Sequence, residues 1–325
     1  MNKEEVAIAN DYLGSDKRIS EIEKRLEKIA EAGFTHVHWC NDWSGPYFYS
    51  YHEMCYFAKL LDKFHLKAKG VHATEGVQRF QPTSSSLNRK WGDIRFLDDR
   101  KNFLSDNEYS RKAGVEIIKN RMDLAEMIGA EEIVLHFAPP YRYLRETKEY
   151  REKFWENTKK SFDELEKYSK NKKIKIALEN LHELPVEDLE EYFDALLDIY
   201  SPDFLGMCYD SGHAMIRNAA HICSFLEKYA ERIIAVHLHD NMGYAEQDYE
   251  DELKLSKADM HLLPFEGVIN WDMVMAYLAK TTYKLPLILE VSMPSNVSED
   301  EFLSKAYKSA TELTARYKQA RLGLA

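Results

Sequence analysis

The chain of 325 residues is 45 % hydrophobic and 12 % aromatic, enough apolar side chain for a large buried core. Its formal net charge of −11 argues against unspecific nucleic-acid binding, which depends on a basic surface, although a local basic groove stays open. No apolar run approaches the roughly 20 residues of a membrane helix, and the first residues lack the apolar segment of a secretion signal. The four cysteines form no CxxC pair, which is typical of reduced thiols, so we predict a soluble, cytoplasmic protein.

Short apolar runs alternate with amphipathic segments along the whole chain. Strands are predicted to start near residues 6, 35, 67, 132, 174, 204, 233 and 286. Helices are predicted between and after them, at Ile19–Ala32, Tyr51–Phe64, Glu108–Ile128, Arg151–Lys170, Val186–Tyr200, Ile216–Ala230, Trp271–Lys280 and Glu299–Arg316. Alternation of this kind implies parallel strands, and eight such units close a barrel. We therefore predict one α/β domain over residues 1–325, a single (β/α)8 TIM barrel with long loops after strands 3 and 7.

Two features bear on this fold prediction. An open, doubly wound sheet is the alternative, but such a sheet usually has a glycine-rich phosphate turn after its first strand, and this sequence lacks one. The loops Thr74–Asn107 and Asp240–Val268 are longer than the usual strand-to-helix connection of about 2–6 residues. Each is expected to form a lid or subsite over the site, or to pack as a structural excursion.

Four consecutive strands are predicted to end in a residue type that binds divalent metals. Glu179 ends the run IKIALE, Asp210 ends LGMCYD, His237 lies in IIAVHLHD, and Glu290 ends LPLILE. A single carboxylate at a strand end could cap a helix or form a salt bridge. Four in succession, at the barrel end where active sites lie, favour one divalent cation. Three carboxylates and one imidazole suit Mn²⁺, Mg²⁺ or Co²⁺, with Zn²⁺ as a further candidate.

Five more polar residues are expected near the same mouth as substrate-binding groups. His213, in DSGH, would bind a substrate oxygen or a second metal, or cap the following helix. His72 and His136 end the third and fourth strands. Asp259 and His261, in ADMHLLPFEG, lie on the seventh loop, where they would fold back over the metal site or tie the loop down.

Other residues near the strand ends are assigned supporting places. His239 is expected behind the preferred ligand His237, and His182 and Glu183 at the rim. Aromatic candidates for a sugar-stacking wall, or for the core, are Trp39, Trp43, Tyr47, Phe48 and Tyr141. The serine-hydrolase elbow GxSxG, the phosphate loop GxxxxGK[ST] and the zinc-protease motif HExxH are absent from the sequence.

The succession ALEN, CYDSGHA, VHLHDN, DMHLLPFEGVINW and LILEV resembles the sugar-phosphate isomerase/epimerase superfamily of xylose isomerase-like barrels. The resemblance spans nearly the whole chain and implies that Glu179, Asp210, His237 and Glu290 are the metal ligands. It also implies that Glu179 and Glu290 form the catalytic acid/base pair and that His213 binds a substrate oxygen. The implied reaction is isomerisation or epimerisation of a sugar or sugar derivative, by proton transfer next to a carbonyl through an enediolate.

Alternatives to a simple sugar epimerase stay open. The barrel is also similar to endonuclease IV-type nucleases with three zinc ions, whose additional ligands His72, His136, Asp259 and His261 match. A phosphodiesterase is therefore an alternative, against which the acidic charge stands. The loop after His237 lacks the arginine common in ketose epimerases, and the loop after His72 is long. Both departures favour a glycoside or cyclitol derivative as the substrate, so a metal-dependent lyase or dehydratase is retained as an alternative.

A non-catalytic barrel that binds a ligand or partner is a third hypothesis. A homo-oligomer is considered because the exposed helices of a barrel commonly pair.

Overall fold

Parallel strands joined by helices make up the computed structural model, which describes residues 4–14, 18–43, 46–73, 100–244, 249 and 252–324. The strands in these ranges are β1 Val6–Ala9, β2 His36–Trp39, β3 Lys67–His72, β4 Glu132–Leu135, β5 Lys175–Glu179, β6 Leu205–Asp210, β7 Ile233–His237 and β8 Leu287–Leu289. They form one sheet in the order β7-β6-β5-β4-β3-β2-β1-β8. Leu238 and Leu289 pair just beyond β7, so the sheet closes on itself. The predicted (β/α)8 TIM barrel is confirmed.

The helices begin and end where the sequence provides caps. Ser50 and Glu53 form a capping box at the start of α2, and Gly129, with φ +80°, ends α3 in the left-handed conformation. Each such cap contributes about 1 kcal/mol. The helices are α1 Ile19–Glu31, α2 Tyr51–Lys63, α3 Glu108–Ile128, α4 Tyr141–Glu146, α5 Lys148–Lys172, α6 Val186–Ile199, α7 Ser211–Asn218, α8 Ser224–Lys228, α9 Glu252–Ala258, α10 Trp271–Leu278 and α11 Glu299–Leu322.

The prediction of one continuous helix after β6 was wrong. In place of a single helix Ile216–Ala230, the chain forms α7, a short 3₁₀ turn at Ala219–His221, and α8. Helix α7 begins directly after β6 because the Asp210 carboxylate accepts a hydrogen bond from the backbone N–H of His213. The short helices α4 and α9 were not predicted, since neither shows a clear apolar period.

Successive side chains of each strand point to opposite faces of the sheet, and this divides the core into two parts. One set of strand side chains joins the helices in a large apolar layer that includes Ile8, Val37, Leu178 and Leu289. The other set fills the barrel interior, where a small separate cluster of short side chains contains Val134, Ala177, Cys208 and Ala235. The interior set continues upward into the polar strand ends, so the barrel delivers those side chains to one place.

Both predicted long connections are present, after β3 and after β7. Residues 74–99, which carry most of the first connection and the prediction of a lid, lie outside the described residues. The second connection includes α9 and is tied to the barrel by Asp240. Its carboxylate accepts hydrogen bonds from the N–H groups of Phe265, Ile269 and the Trp271 indole. None of the helices in the described ranges is long and apolar enough to cross a membrane. The single-domain organisation over residues 1–325 stays a prediction.

Candidate metal centre and surrounding cavity

The four predicted ligands come together at the C-terminal ends of the strands. Glu179 ends β5, Asp210 ends β6, His237 ends β7, and Glu290 follows β8 directly. Parallel pairing places neighbouring ends side by side, with Asp210 opposite His237 in the β6–β7 register. One potential ligand atom from each of the four residues lies within 4.8 Å of the others. These four residues therefore form a group that could hold a metal ion.

The imidazole of His237 lies between two carboxylates. Its Nδ1 atom is 3.1 Å from Oε1 of Glu179 and 3.2 Å from Oε2 of Glu290. Burial lowers the pKa of His237, but Cys208, Glu290 and Glu179 outweigh it and hold that pKa well above its usual range. Burial likewise raises the pKa of both carboxylates, and the facing imidazole outweighs it, so both pKa values are lowered. In the metal-free protein these contacts therefore favour the protonated form of His237 and the ionised forms of Glu179 and Glu290.

Asp210 has a second structural function besides its place in this set. Its Oδ1 atom caps α7, and its Oδ2 atom is 3.1 Å from Nε2 of His239. The amide of Asn180 accepts a hydrogen bond from the Asp210 N–H at 2.7 Å and donates one to the Asp210 carbonyl at 2.9 Å. The carboxylate is thus held rigidly, and His239 has the supporting position that was expected for it.

His72 and His136 face the same carboxylates from β3 and from the residue after β4. The Nε2 atom of His136 is 3.0 Å from Oε2 of Glu179. The Nε2 atom of His72 is 3.8 Å from both Glu179 and Glu290. Burial, followed by the neighbouring His136, lowers the pKa of His72 to about 4, so this histidine is neutral at pH 7. Both nitrogens can donate to, or accept from, a ligand oxygen or hold a metal.

The seventh loop folds back over the strand ends. Asp259 Oδ2 is 3.1 Å from Nε2 of His261 and 3.5 Å from Nε2 of His213. The His261 ring stacks on His239 at 4.0 Å, and its Nδ1 donates to the Glu290 carbonyl at 3.0 Å. Burial lowers the pKa of His261, but Asp259 and Glu290 outweigh this and raise it to about 10. Of the two places foreseen for this Asp-x-His pair, the structure has the one over the site, since Asp240 ties the loop down.

Oδ1 of Asp259 and Nδ1 of His239 are buried and make no hydrogen bond to any residue that the structure describes. Leaving a buried polar atom unpaired costs about 1–3 kcal/mol. Asp259 also lines a cavity, so its Oδ1 atom is suited to contact a bound ion or a polar ligand there.

A cavity of about 170 Å³ lies above the carboxylates. Its lining residues are Trp43, His72, His136, His182, Glu183, His213, Ser256, Asp259, His261 and Glu290. Trp43 lies 4.8 Å from the His72 ring and supplies the aromatic wall. The other aromatic candidates lie elsewhere: Trp39 and Tyr141 are buried in the core, and Tyr47 and Phe48 are exposed. The space is small, and every lining residue apart from this tryptophan carries a polar or ionisable group at the end of its side chain.

Residues 26–314 match the family described as xylose isomerase-like TIM barrel. The chain belongs to this family. The match runs from within α1 to within α11, so it includes all the strands β2–β8 and every residue placed at the centre above.

Three proteins illustrate what this xylose isomerase-like barrel is similar to. The protein y4fM of Sinorhizobium fredii (strain NBRC 101917 / NGR234) is 34 % identical over 302 residues, covering 92 % of this chain and 91 % of that protein. The inosose dehydratase of Bacillus cereus (strain AH820) is 26 % identical over 168 residues, covering 50 % of this chain and 56 % of the dehydratase. The crystal structure of a D-tagatose 3-epimerase-like protein has a TM-score of 0.65 at 23 % identity, covering 99 % of this chain and 100 % of that one. The last likeness shows a shared fold.

Two residues near the centre of the barrel were missed by the sequence analysis. Asp11 follows β1, and burial together with Glu290 raises its pKa to about 6. His38 lies on β2 with its Nε2 atom 3.1 Å from Nε2 of His237, and burial holds its pKa well below the usual range. The sequence could have indicated His38, because side chains alternate between the two faces of β2 and this alternation puts His38 on the side of the barrel interior.

Proposed function

We propose that this barrel is a divalent-metal-dependent enzyme that transfers a proton at the carbon next to a carbonyl of a sugar or cyclitol derivative. The observation that carries the proposal is the convergence of Glu179 and Glu290 on Nδ1 of His237, with Asp210 completing the set. Glu290 also lines the polar cavity, so the set opens onto the space where a small ligand would lie. The match to a xylose isomerase-like family supports the sugar class.

The donor set fits a hard divalent cation. Metal–oxygen distances near 2.1 Å put neighbouring ligands about 3 Å apart and opposite ligands about 4.2 Å apart. One ligand atom of each of the four residues lies within 4.8 Å of the others, so small side-chain movements would bring them to such distances. Glu179, Asp210, His237 and Glu290 would hold the ion and leave octahedral positions for two substrate oxygens. Mn²⁺, Mg²⁺ or Co²⁺ is favoured by three carboxylates, and Zn²⁺ is compatible with the same ligands.

The two glutamates would act as the acid/base pair. A bound cation supplies Lewis acidity, which polarises the carbonyl and stabilises the negative charge that develops on oxygen. Glu290 is 13 % exposed toward the cavity and ionised, so it is placed to take a proton from a carbon held there. Glu179 lies on the other side of His237 Nδ1 and bonds to His136, which would share the proton that it returns to the opposite face.

The remaining cavity residues would bind and orient the substrate. His213, His136, His72, His261 and Asp259 offer imidazole N–H groups and one carboxylate to the hydroxyl groups of a polyol. The Trp43 indole would stack against a C–H face of the ring, a common way to hold a sugar. A small-molecule carbohydrate or cyclitol is therefore the proposed partner. Location in the cytoplasm and association of copies stay predictions from the sequence.

The test is deuterium exchange at the carbon next to the carbonyl. The metal-loaded protein is incubated in D₂O with ketohexoses such as D-tagatose and with inososes, and label is followed by NMR and mass spectrometry. Glu290→Gln is expected to keep the fold and most metal binding but to lower exchange by about 10²-fold or more, since a general base contributes about 10²–10⁴-fold. Glu301→Gln on the exposed face of α11 is the matched control and should exchange like wild type. Normal exchange in Glu290→Gln would refute its assignment as the base.

Loss of water is the nearest related reaction. Dehydration of a cyclitol ketone also begins with proton removal next to the carbonyl, and inosose dehydratases are among the relatives. The same exchange experiment separates the two outcomes, because an epimerase returns a labelled isomer and a dehydratase yields a product lighter by one water molecule.

A metal-dependent phosphodiesterase is the second candidate, and two additional ligand groups favour it. His72 with Glu179 and His237 forms one group, and His213 with Asp259 and His182 forms another, each with ligand atoms within 4.8 Å. Several ions could therefore be bound side by side, as phosphoester cleavage uses them. This reading requires more than one ion per chain and cleavage of an abasic-site duplex.

A further inference from the structure

We propose that His38 is a positioning residue that sets the tautomer and the orientation of His237 from beneath the strand ends. The proposal rests on the metal centre described above. His38 is fully buried on β2, and its Nε2 atom lies 3.1 Å from Nε2 of His237. Its ring is tilted by 65° against that imidazole, with the centroids 4.9 Å apart.

The two nitrogens of His237 face different partners. Nδ1 points at Glu179 and Glu290, whereas Nε2 points at His38. Nitrogen atoms 3.1 Å apart require one proton between them. A metal at Nδ1 needs the lone pair there, so the proton of a neutral His237 must be on Nε2 and is donated to Nε2 of His38. The hydrogen bond thus selects the tautomer that leaves Nδ1 free for the cation.

The thiol of Cys208 also lies close to this imidazole. A thiol is a weak hydrogen-bond acceptor, whereas the unprotonated nitrogen of a neutral histidine is a strong one. The Nε2 atom of His38 lies at hydrogen-bond distance, 3.1 Å, from Nε2 of His237. His38 is therefore the better acceptor, and the proton on its own ring is left on Nδ1.

The barrel interior is shaped to admit this imidazole. The register of β2 against β3 shifts between Val37 and His38, an irregularity that re-aims a side chain. His38 pairs with Gly70, where a Cβ atom would lie 3.0 Å from both His38 Nδ1 and Glu132 Oε1. The interior cluster of short side chains leaves further room.

A purely structural function for His38 would be costly. Its Nδ1 atom makes no hydrogen bond to any residue within the described ranges. An unpaired buried donor is unfavourable, and a leucine could occupy the same volume without that cost. The hydrogen bond to His237 explains why position 38 is a histidine.

Metal affinity provides the first test. Free Mn²⁺ is measured by electron paramagnetic resonance while the metal-free protein is titrated with the ion. His38→Leu is expected to weaken Mn²⁺ binding about 10–100-fold, the usual effect of losing the partner of a ligand histidine. His38→Gln, whose amide oxygen can accept the same proton, should stay within a few-fold of wild type. His36→Gln on the same strand, bonded instead to Thr35, is the matched control and should bind normally.

A spectroscopic signature gives a second, independent test. In the Co²⁺-loaded protein, the Nε2 proton of His237 is expected as a hyperfine-shifted resonance that exchanges slowly with D₂O, since it is buried and hydrogen-bonded. The slow exchange should persist in His38→Gln and be lost in His38→Leu. Unchanged exchange and unchanged Mn²⁺ affinity in folded His38→Leu would overturn the proposal.

Failure of this inference can be told from failure of the proposed function. If wild type binds no Mn²⁺, or binds it equally in Asp210→Asn, the centre itself is refuted. If wild type binds and Asp210→Asn does not, equal binding by His38→Leu refutes only the function of His38. Should His38→Leu not fold, Gly70→Ala replaces it, because its methyl group would press on His38 Nδ1. Weaker binding is expected in that variant, and wild-type affinity there overturns the inference.

Discussion

Single residues decide the charge balance at the strand ends. Each buried carboxylate of the centre has an imidazole nitrogen within about 3–4 Å, so none of these carboxylates is left without a polar partner. His237, His213 and His261 all have raised pKa values in the metal-free protein, because neighbouring groups outweigh burial: Cys208 and two carboxylates at His237, and carboxylates at the other two. A cation at Nδ1 of His237 would replace a proton there, so metal binding is expected to release protons.

The raised pKa of Asp11 predicts that the stability of the metal-free protein depends on pH. Burial and Glu290 raise its pKa to about 6, above the usual 3.8 of the unfolded chain. Its contribution to the free energy of unfolding is therefore full below about pH 4 and is lost as the pH rises through about 6. Asp11→Asn cannot ionise, so above pH 7 it is expected to be more stable than wild type by about 1–3 kcal/mol in urea unfolding, with no difference near pH 4.

The control for this prediction is Asp203→Asn, since Asp203 is exposed in the turn before β6. It should change stability little at either pH. The free energy of unfolding of wild type should fall relative to that of Asp11→Asn between pH 4 and pH 7. If it does not, ionisation of Asp11 does not destabilise the folded protein, and the prediction is wrong.

At the scale of elements, the junction of β6 and α7 is the tightest part of the centre. The helix begins one residue after Asp210, so Gly212 lies in its first turn, against the His239 ring. A Cβ atom on Gly212 would lie 1.9 Å from Cε1 of His239. That ring cannot retreat easily, because it stacks on His261 and bonds to Asp210.

Gly212→Ala is accordingly expected to lower the free energy of unfolding by about 2–4 kcal/mol, as overpacking of a rigid interior does. It should also weaken metal binding, since the shift of His239 releases one oxygen of Asp210. Denaturant unfolding and Mn²⁺ titration measure the two effects. Gly323→Ala at the end of α11, where an added Cβ meets only ordinary contacts, should match wild type. Wild-type stability in Gly212→Ala would mean that the junction repacks freely.

At the scale of the whole molecule, the centre joins elements that are far apart in the chain. Its ligands come from the ends of β5, β6 and β7 and from the residue after β8, so a bound cation would tie these four strands together. The unfolded chain does not hold the ligands together and is expected to bind the cation poorly. Ligand binding of this kind adds about 2.7 kcal/mol at one hundred times the dissociation constant. For a chain of this length the unfolding entropy is about 0.7 kcal/mol/K, so the expected rise in Tm is about 4 °C.

Metal removal tests this expectation and counts the ions. Treatment with EDTA should lower Tm by about 4 °C, re-addition of Mn²⁺ should restore it, and Asp210→Asn should not respond. Elemental analysis of protein purified without added metal is expected to give one ion per chain. Two or three zinc ions, lost on changing His72, His136 or His261, would favour the phosphodiesterase. An equal response of Asp210→Asn would locate the ion elsewhere.

Much of this architecture could be predicted from local patterns. The apolar runs located the starts of the eight strands to within one residue. The residues at the ends of β5 to β7 and directly after β8 were visible because each apolar run stops at a polar ligand type. Helix ends with cap residues, such as Gly129, were predicted well. The segment after Asp210 was not, because a strand residue that caps the next helix leaves no spacer to mark the boundary.

The sequence by itself therefore determined the barrel and the residue types at its mouth, because strand alternation and helix spacing are properties of neighbouring residues. Only the tertiary structure decided which of these groups touch. His38 and His237 are 199 positions apart in the chain, and their contact depends on curvature that closes the barrel. The same closure put Asp11 beside Glu290 and left Asp240, not Asp259, to tie the seventh loop. Such pairings depend on distance through space, which no local pattern encodes.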